Sequence, residues 1–211
     1  GRTNLSPYIS NVKIYGLRFV LPAHSTVFDS ENNLLYNGLS SYPFDIHLVD
    51  GLTIQYCSCQ SGGYSFAKID GCTDVIVENC WIQDIYRYGY GYGIVLSSAK
   101  GDTDNVIIRH NFFTATNDDW HQPVAGGEVG TTFRHAITTE GESVNTIRNI
   151  TIVDNYFEGS REAAVDHHDD TTGPTLIDRN VFYSCSRATN LQSCLVGSRT
   201  TNNIVLSAHG G

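Results

Sequence analysis

One eight-residue phrase recurs along this chain and restricts its fold more than any other feature. It reads apolar, x, apolar, x, x, Asn, x, aromatic. The clearest copies occupy residues 106–113, 150–157 and 175–182, with Asn111, Asn155 and Asn180 in the sixth place. Copies at 12–19, 52–59 and 75–82 keep the apolar places but carry Leu17, Cys57 and Cys80 there. A frayed seventh copy is suggested at 204–206. The six copies start 40, 23, 31, 44 and 25 residues apart. A unit that recurs with variable insertions describes a solenoid rather than a mixed globular fold.

The phrase has a direct geometric meaning. Its first and third places share one parity, and its sixth and eighth share the other, so on one flat strand they would face opposite ways. All four can line one interior only if the chain turns a corner between them. Each copy is then two short strands around a corner, with the Asn pointing inward and bonding to the Asn above and below. A third short strand accompanies the copies, at 44–48, 65–69, 92–96, 134–138, 162–166 and 193–196. The expected fold is all-β: a single right-handed parallel β-helix of six to seven coils spanning 1–211, with loop insertions near 21–42 and 114–133.

Three short strands per coil, repeated over roughly residues 8–206, resembles the pectate-lyase-like β-helix superfold. That resemblance implies a fold. It carries over no catalytic residue, because the superfold hosts lyases, hydrolases, adhesins and spikes.

Composition narrows the classes further. The net charge of −9 and pI near 5.2 argue against a nucleic-acid partner. They also mean that an acidic polysaccharide needs a bridging cation or a local basic patch. No apolar run is long enough for a transmembrane helix. The chain lacks Met and begins Gly1-Arg2, which reads as a processed or excerpted piece. Asn4 and Asn149 stand in glycosylation sequons. Of six cysteines, Cys57 and Cys80 hold the same place in adjacent coils, about 4.8 Å apart, which suits a disulfide or a stacked thiol pair. Cys185 and Cys194 are a second candidate pair. Buried reduced thiols are the competing reading.

The chemistry is expected on the outer face of the third strands. Stacked without gaps, those strands line up Asp45 with Phe66, Gly93, His135 and Ala163. The next column holds His47, Lys68, Val95, Ile137 and Val165, and the last Val49, Asp70, Ser97, Thr139 and His167. In the polysaccharide-cleaving members of the superfold, the substrate lies along an outer sheet face. A lyase neutralises a uronate carboxylate, removes the α-proton and protonates the leaving oxygen. Arg134 or Lys68 suits the first task, and His135 or Tyr88 the second. His47, Tyr90, Trp120 and His167 are candidates for substrate contact. Asp166, Asp169 and Asp170 are candidates to hold Ca²⁺. A hydrolase would instead use two carboxylates, for which Asp166 with Asp169 or Glu140 qualify.

Each of these groups also has a plain structural reading, as a loop-capping pair, a solvated turn or surface charge. The functional expectation is an extracellular or cell-surface protein that binds or cleaves a polysaccharide, by lyase-type elimination if it is an enzyme. The alternative is a structural or adhesive subunit whose copies stack end to end into a filament or spike, since neither end of the helix shows an obvious cap.

Overall fold

The computed structural model describes residues 9–20, 27–28, 34–36, 42–62, 64–85, 91–115, 133–141, 145–160, 162–167, 173–192 and 197–206. They form a parallel β-helix. Sheet one stacks Ile9–Tyr15, Val49–Gln55, Thr73–Glu78, Thr103–Arg109, Ile147–Val153, Thr175–Asp178 and Arg199–Thr201. Sheet two stacks Arg18–Val20, Ser58–Gly62, Trp81–Ile85, Phe112–Thr114, Tyr156–Glu158, Val181–Tyr183 and Ile204–Leu206. Sheet three stacks Phe44–His47, Ser65–Asp70, Tyr92–Ser97, His135–Glu140, Ala163–His167 and Arg187–Leu191. Within each sheet every pairing is parallel and follows chain order. A short antiparallel pair, Val27–Phe28 with Leu34–Tyr36, lies in the first expected insertion.

The register matches the sequence phrase. Val12, Leu52, Val75, Val106, Ile150 and Thr175 pair in one column. The seventh coil is real as well: Leu176 pairs with Arg199, and Phe182 with Val205. Its apolar places on sheet one carry Ser198 and Thr200, which hides the phrase in the sequence. The last third strand runs over Arg187–Leu191 rather than the expected 193–196, which lie outside the described residues. Only Ala188 and Leu191 pack inward there, so the strand lacks an apolar signature.

The corner is made by one residue per coil. The fifth place of every copy has a left-handed backbone: Gly16 (φ 68°), Tyr56 (52°), Asn79 (54°), His110 (54°), Asp154 (55°), Arg179 (53°) and Asn202 (50°). Six of the seven are not glycine, and each costs about 1–2 kcal/mol against ordinary backbone. The inward side chain that follows offsets this. Asn111 Oδ1 accepts from Cys80 N (2.9 Å), Asn155 Oδ1 from Asn111 N (3.0 Å), Asn180 Oδ1 from Asn155 N (2.9 Å) and Asn203 Oδ1 from Asn180 N (2.8 Å). Each Nδ2 donates to a carbonyl of the coil before, those of Val77, Ile108, Ile152 and Ile177. Asn203 extends the ladder one coil beyond the sequence expectation.

Cys57 and Cys80 are not disulfide-bonded; Cys57, Cys59, Cys72, Cys80 and Cys185 are all free and buried. The physical reason is that these thiols take the Asn role. Cys80 Sγ donates to Ile54 O of the coil before (3.8 Å) and to Glu78 O two residues back (3.4 Å). Cys57 does the same towards Ile14 O and Gln55 O. Off this column, Cys72 and Cys185 repeat the pattern. Cys194 lies outside the described residues.

The core is one continuous column. Phe113, Phe157 and Phe182 stack at 5.0 Å between ring centroids. Towards the first coils, Phe19, Phe44 and Phe66 pack edge to face. Gly93 must stay small, because a Cβ there would sit 2.4 Å from Ala136 O and 2.8 Å from the Phe113 ring.

Two outcomes test this account. Asn155→Ala strips acceptors and donors from three coils and is expected to cost about 2–4 kcal/mol in urea unfolding; a loss under 1 kcal/mol contradicts the ladder's role. Thiol titration of the denatured, unreduced protein is expected to find at least five free thiols.

Candidate functional site

Sheet three is not flat, and its kink builds the site. Phe66 with Ala67, Ala136 with Ile137, and Ala164 with Val165 are consecutive pairs in which both side chains are buried in the core. A strand can turn two successive side chains inward only by bending between them. The residue before each pair and the residue after it therefore both face out. His135 precedes the bend in the fourth coil and Asp166 follows it in the fifth. This is how two residues of mismatched parity meet: His135 Nε2 lies 3.6 Å from Asp166 Oδ2.

The same kink shifts the outer columns from those expected of an unbroken alternation. The observed columns are Asp45, Lys68, Val95, Thr138, Asp166 and Asn190, and then His47, Asp70, Ser97 and Glu140. His167 was expected on the outer face. It instead pairs with Thr139 and Leu191 in the column of Ile69 and Leu96, and is fully buried.

Around His135 the groups converge. Its ring stacks on Tyr92 at 5.8 Å, 7° from parallel. Its Nδ1 lies 2.9 Å from Ala163 O, a contact that fits a proton on that nitrogen. Its Nε2 is shared between Asp166 and Glu162, the latter at 3.5 Å. Burial holds the His135 pKa below its ordinary value, although Asp166, Ala163 O and Glu162 pull it up. A neutral His135 with its proton on Nδ1 leaves Nε2 as an acceptor facing the carboxyl groups of Glu162 and Asp166.

The rim is built from ion pairs. Glu162 Oε1 accepts from Arg134 Nε at 2.9 Å. Burial alone would lower the Arg134 pKa, but Glu162 and Tyr92 raise it. Asp166 Oδ1 accepts from Asn190 Nδ2 at 2.6 Å. On the neighbouring coils, Glu140 accepts from Tyr64 Oη (3.2 Å) and from Lys68 Nζ (3.3 Å). Burial works to lower Lys68, and Glu140 more than reverses it. Burial and then Glu140 raise the Tyr64 phenol. Burial also raises Tyr92, against the pull of Arg134.

Tyr64, Tyr92 and His135 thus form an aromatic stack, with Tyr64 and Tyr92 edge to face at 5.1 Å. Two carboxylates that solvent reaches flank it, Glu162 with 38% and Glu140 with 36% of the side chain exposed. His47 lies at the N-terminal end of the face beside Asp45 (3.0 Å) and Asp70 (3.7 Å), away from this group.

Of the residues expected from sequence, Arg134, His135 and Asp166 are brought together, through Glu162, and Lys68 sits two coils before His135, paired with Glu140. Tyr88, Tyr90, Trp120, Asp169 and Asp170 lie outside the described residues. Asp166 is fully buried and engaged by His135 and Asn190. Among the described residues no cluster of His, Cys, Asp and Glu is arranged to hold a metal ion. Glu162, Tyr64 and Asn190 were not singled out. The usable signal was the small pair Ala163-Ala164 beside Ala136, which marks the bend.

No family model, curated protein or solved structure matches this chain.

His167 gives a pH test. Both its ring nitrogens are buried without a hydrogen-bond partner among the described residues, and burial, opposed by Asp166, pushes its pKa down to about 4. The unfolded histidine titrates near 6.5. Between these values the unfolded state binds the extra proton, so stability falls as pH drops from about 6.5 to 4. The loss from this group is at most about 3 kcal/mol. Urea midpoints of the parent chain are expected to fall more steeply across that window than those of His167→Leu; parallel curves would refute the assignment.

Proposed function

We propose that this protein cleaves glycosidic bonds of a polysaccharide lying along the outer face of sheet three. The observation that carries this reading is the Nε2 of His135, held between one buried and one solvent-reached carboxylate from the next coil. In this proposal Glu162 carries the proton, in exchange for its ion pair with Arg134, and meets the glycosidic oxygen as the acid with His135 Nε2 behind it; Glu140 is the second carboxylate that two-carboxylate glycoside hydrolysis uses. Asp166 and Asn190 act behind His135 as positioning residues. Tyr64, half-buried beside Tyr92, offers a ring edge for the sugar.

The ion pairs favour hydrolysis over elimination. Arg134 is engaged by Glu162, and Lys68 by Glu140. A uronate would have to displace a carboxylate to reach either cation. The pectate-lyase-like superfold, resembled by the strand repeat, supports a polysaccharide substrate lying along an outer sheet, and such polymers are met outside the cell. Among the described residues, Glu140, Glu162 and Asp166 pair with Lys68, Arg134 and Asn190, and the mechanism uses no Ca²⁺.

A second reading rests on the ends. In the first coil Ile9, Tyr15, Leu17 and Val20 are exposed, and in the seventh Ile204, Val205 and Leu206 are about half exposed. These are apolar rungs fit for end-to-end stacking into a filament. Electron microscopy at neutral pH separates the readings, since dispersed single particles rule out assembly.

The direct test is depolymerisation of neutral and uronate polysaccharides, reading new reducing ends and the ultraviolet absorbance of unsaturated products. Reducing ends without unsaturation are expected. Glu162→Gln and His135→Asn are expected to lose at least about 100-fold in rate with circular dichroism unchanged. Unsaturated products would mean elimination, and no cleavage of any polymer would overturn the proposal.

A further inference from the structure

The outer face of sheet two carries a second feature, on a different side of the coil from His135. Ser58, Trp81, Phe112 and Tyr156 pair in register as one outward column on successive coils. Trp81 is 54% and Phe112 55% exposed, in mid-helix rather than at an end. The rings are held in place. Trp81 Nε1 donates to Thr114 Oγ1 of the next coil at 3.0 Å, which ties the indole down along the sheet. Phe112 and Tyr156 lie 6.1 Å apart between centroids. The adjacent outward column holds Gln60 and Thr114, which are solvent-reached, and Gln83, which is buried and donates to Asp84; Glu158 follows on the next coil.

We infer that this strip is a binding platform for a neutral, extended pyranose chain running along the helix axis. Pyranose rings present flat apolar C–H faces that stack on aromatic rings, with hydroxyls at their edges. The strip offers the matching pattern: rings in one column, hydrogen-bonding groups in the next. Coils repeat at about 4.8 Å, close to the length of one pyranose unit, so successive sugars meet successive rungs.

The charge pattern weighs against a polyuronate, because the chain carries −9 overall and the cation of this column, Arg18, lies in the first coil, two rungs before Trp81. The area selects against a second copy of the protein. Two half-exposed rings offer roughly 200–300 Å², whereas a stable protein interface takes about 800 Å² per partner. The strip does not depend on the sheet-three site being catalytic.

The test uses the whole chain and two probes, insoluble β-linked glucan in a pull-down and a soluble hexameric gluco-oligosaccharide in a fluorescence titration. Wild type is expected to bind both. Trp81→Ala and Phe112→Gln, at exposed positions that leave the core intact, are expected to weaken binding at least tenfold. Glucan binding is read separately from release of new reducing ends, so failure of the cleavage reading and failure of this one are distinguishable. Absence of glucan binding, or equal binding by Trp81→Ala and wild type, overturns the inference. So would preferential retention on a polyuronate, or a concentration-dependent dimer that Trp81→Ala abolishes.

Discussion

The left-handed residue at each corner is the constraint on which the rest of the structure depends. It lets one short phrase feed two sheets with both apolar pairs facing one interior. Without it, the Phe of sheet two would point to solvent and the coil would not close. Seven such corners in near-identical conformation carry a strain that the chain offsets locally. The inward Asn after the later corners accepts from an amide of the coil before and donates to a carbonyl, and Cys57 and Cys80 donate to carbonyls only. The outward corner residues pair among themselves, as Arg179 does with Asp154 through two bonds at 2.9 and 2.8 Å. Thiols do this work more weakly than amides, which suits the earlier coils where Leu52, Ile54 and Phe66 surround them.

The candidate site depends on a second departure from regularity. A flat third strand would have sent His135 and Asp166 to opposite faces. The bend at Ala136-Ile137 and Ala164-Val165 brings both outward and places a histidine against two carboxyl groups. The column at the bend is closely packed, since the Cβ that Gly93 lacks would collide with Ala136 O. Core packing and site geometry are therefore one arrangement.

Parallel stacking also explains why both candidate surfaces are linear. A residue type repeated at one place of the coil becomes a stripe along the axis. On sheet three that stripe is ionisable and tightly paired. On sheet two it is aromatic.

How much could be read in the sequence follows from the range of each interaction. The corner phrase is local: parity conflict within eight residues required a bend, and the inward Asn at 111, 155 and 180 followed. The seventh coil was half hidden because Ser198 and Thr200 replace apolar residues. The Cys57–Cys80 column was legible, but its redox state was not, since proximity of thiols does not decide whether they bond to each other or to carbonyls. Alternation alone put His167 outside, and the kink between consecutive buried residues puts it inside. The sequence by itself determined the coil, its repeat and the column at its corner, because these rest on contacts within one phrase. Only the tertiary structure decided which outer residues meet, because the bend and the register across 28 residues from His135 to Ala163 are set by packing between coils.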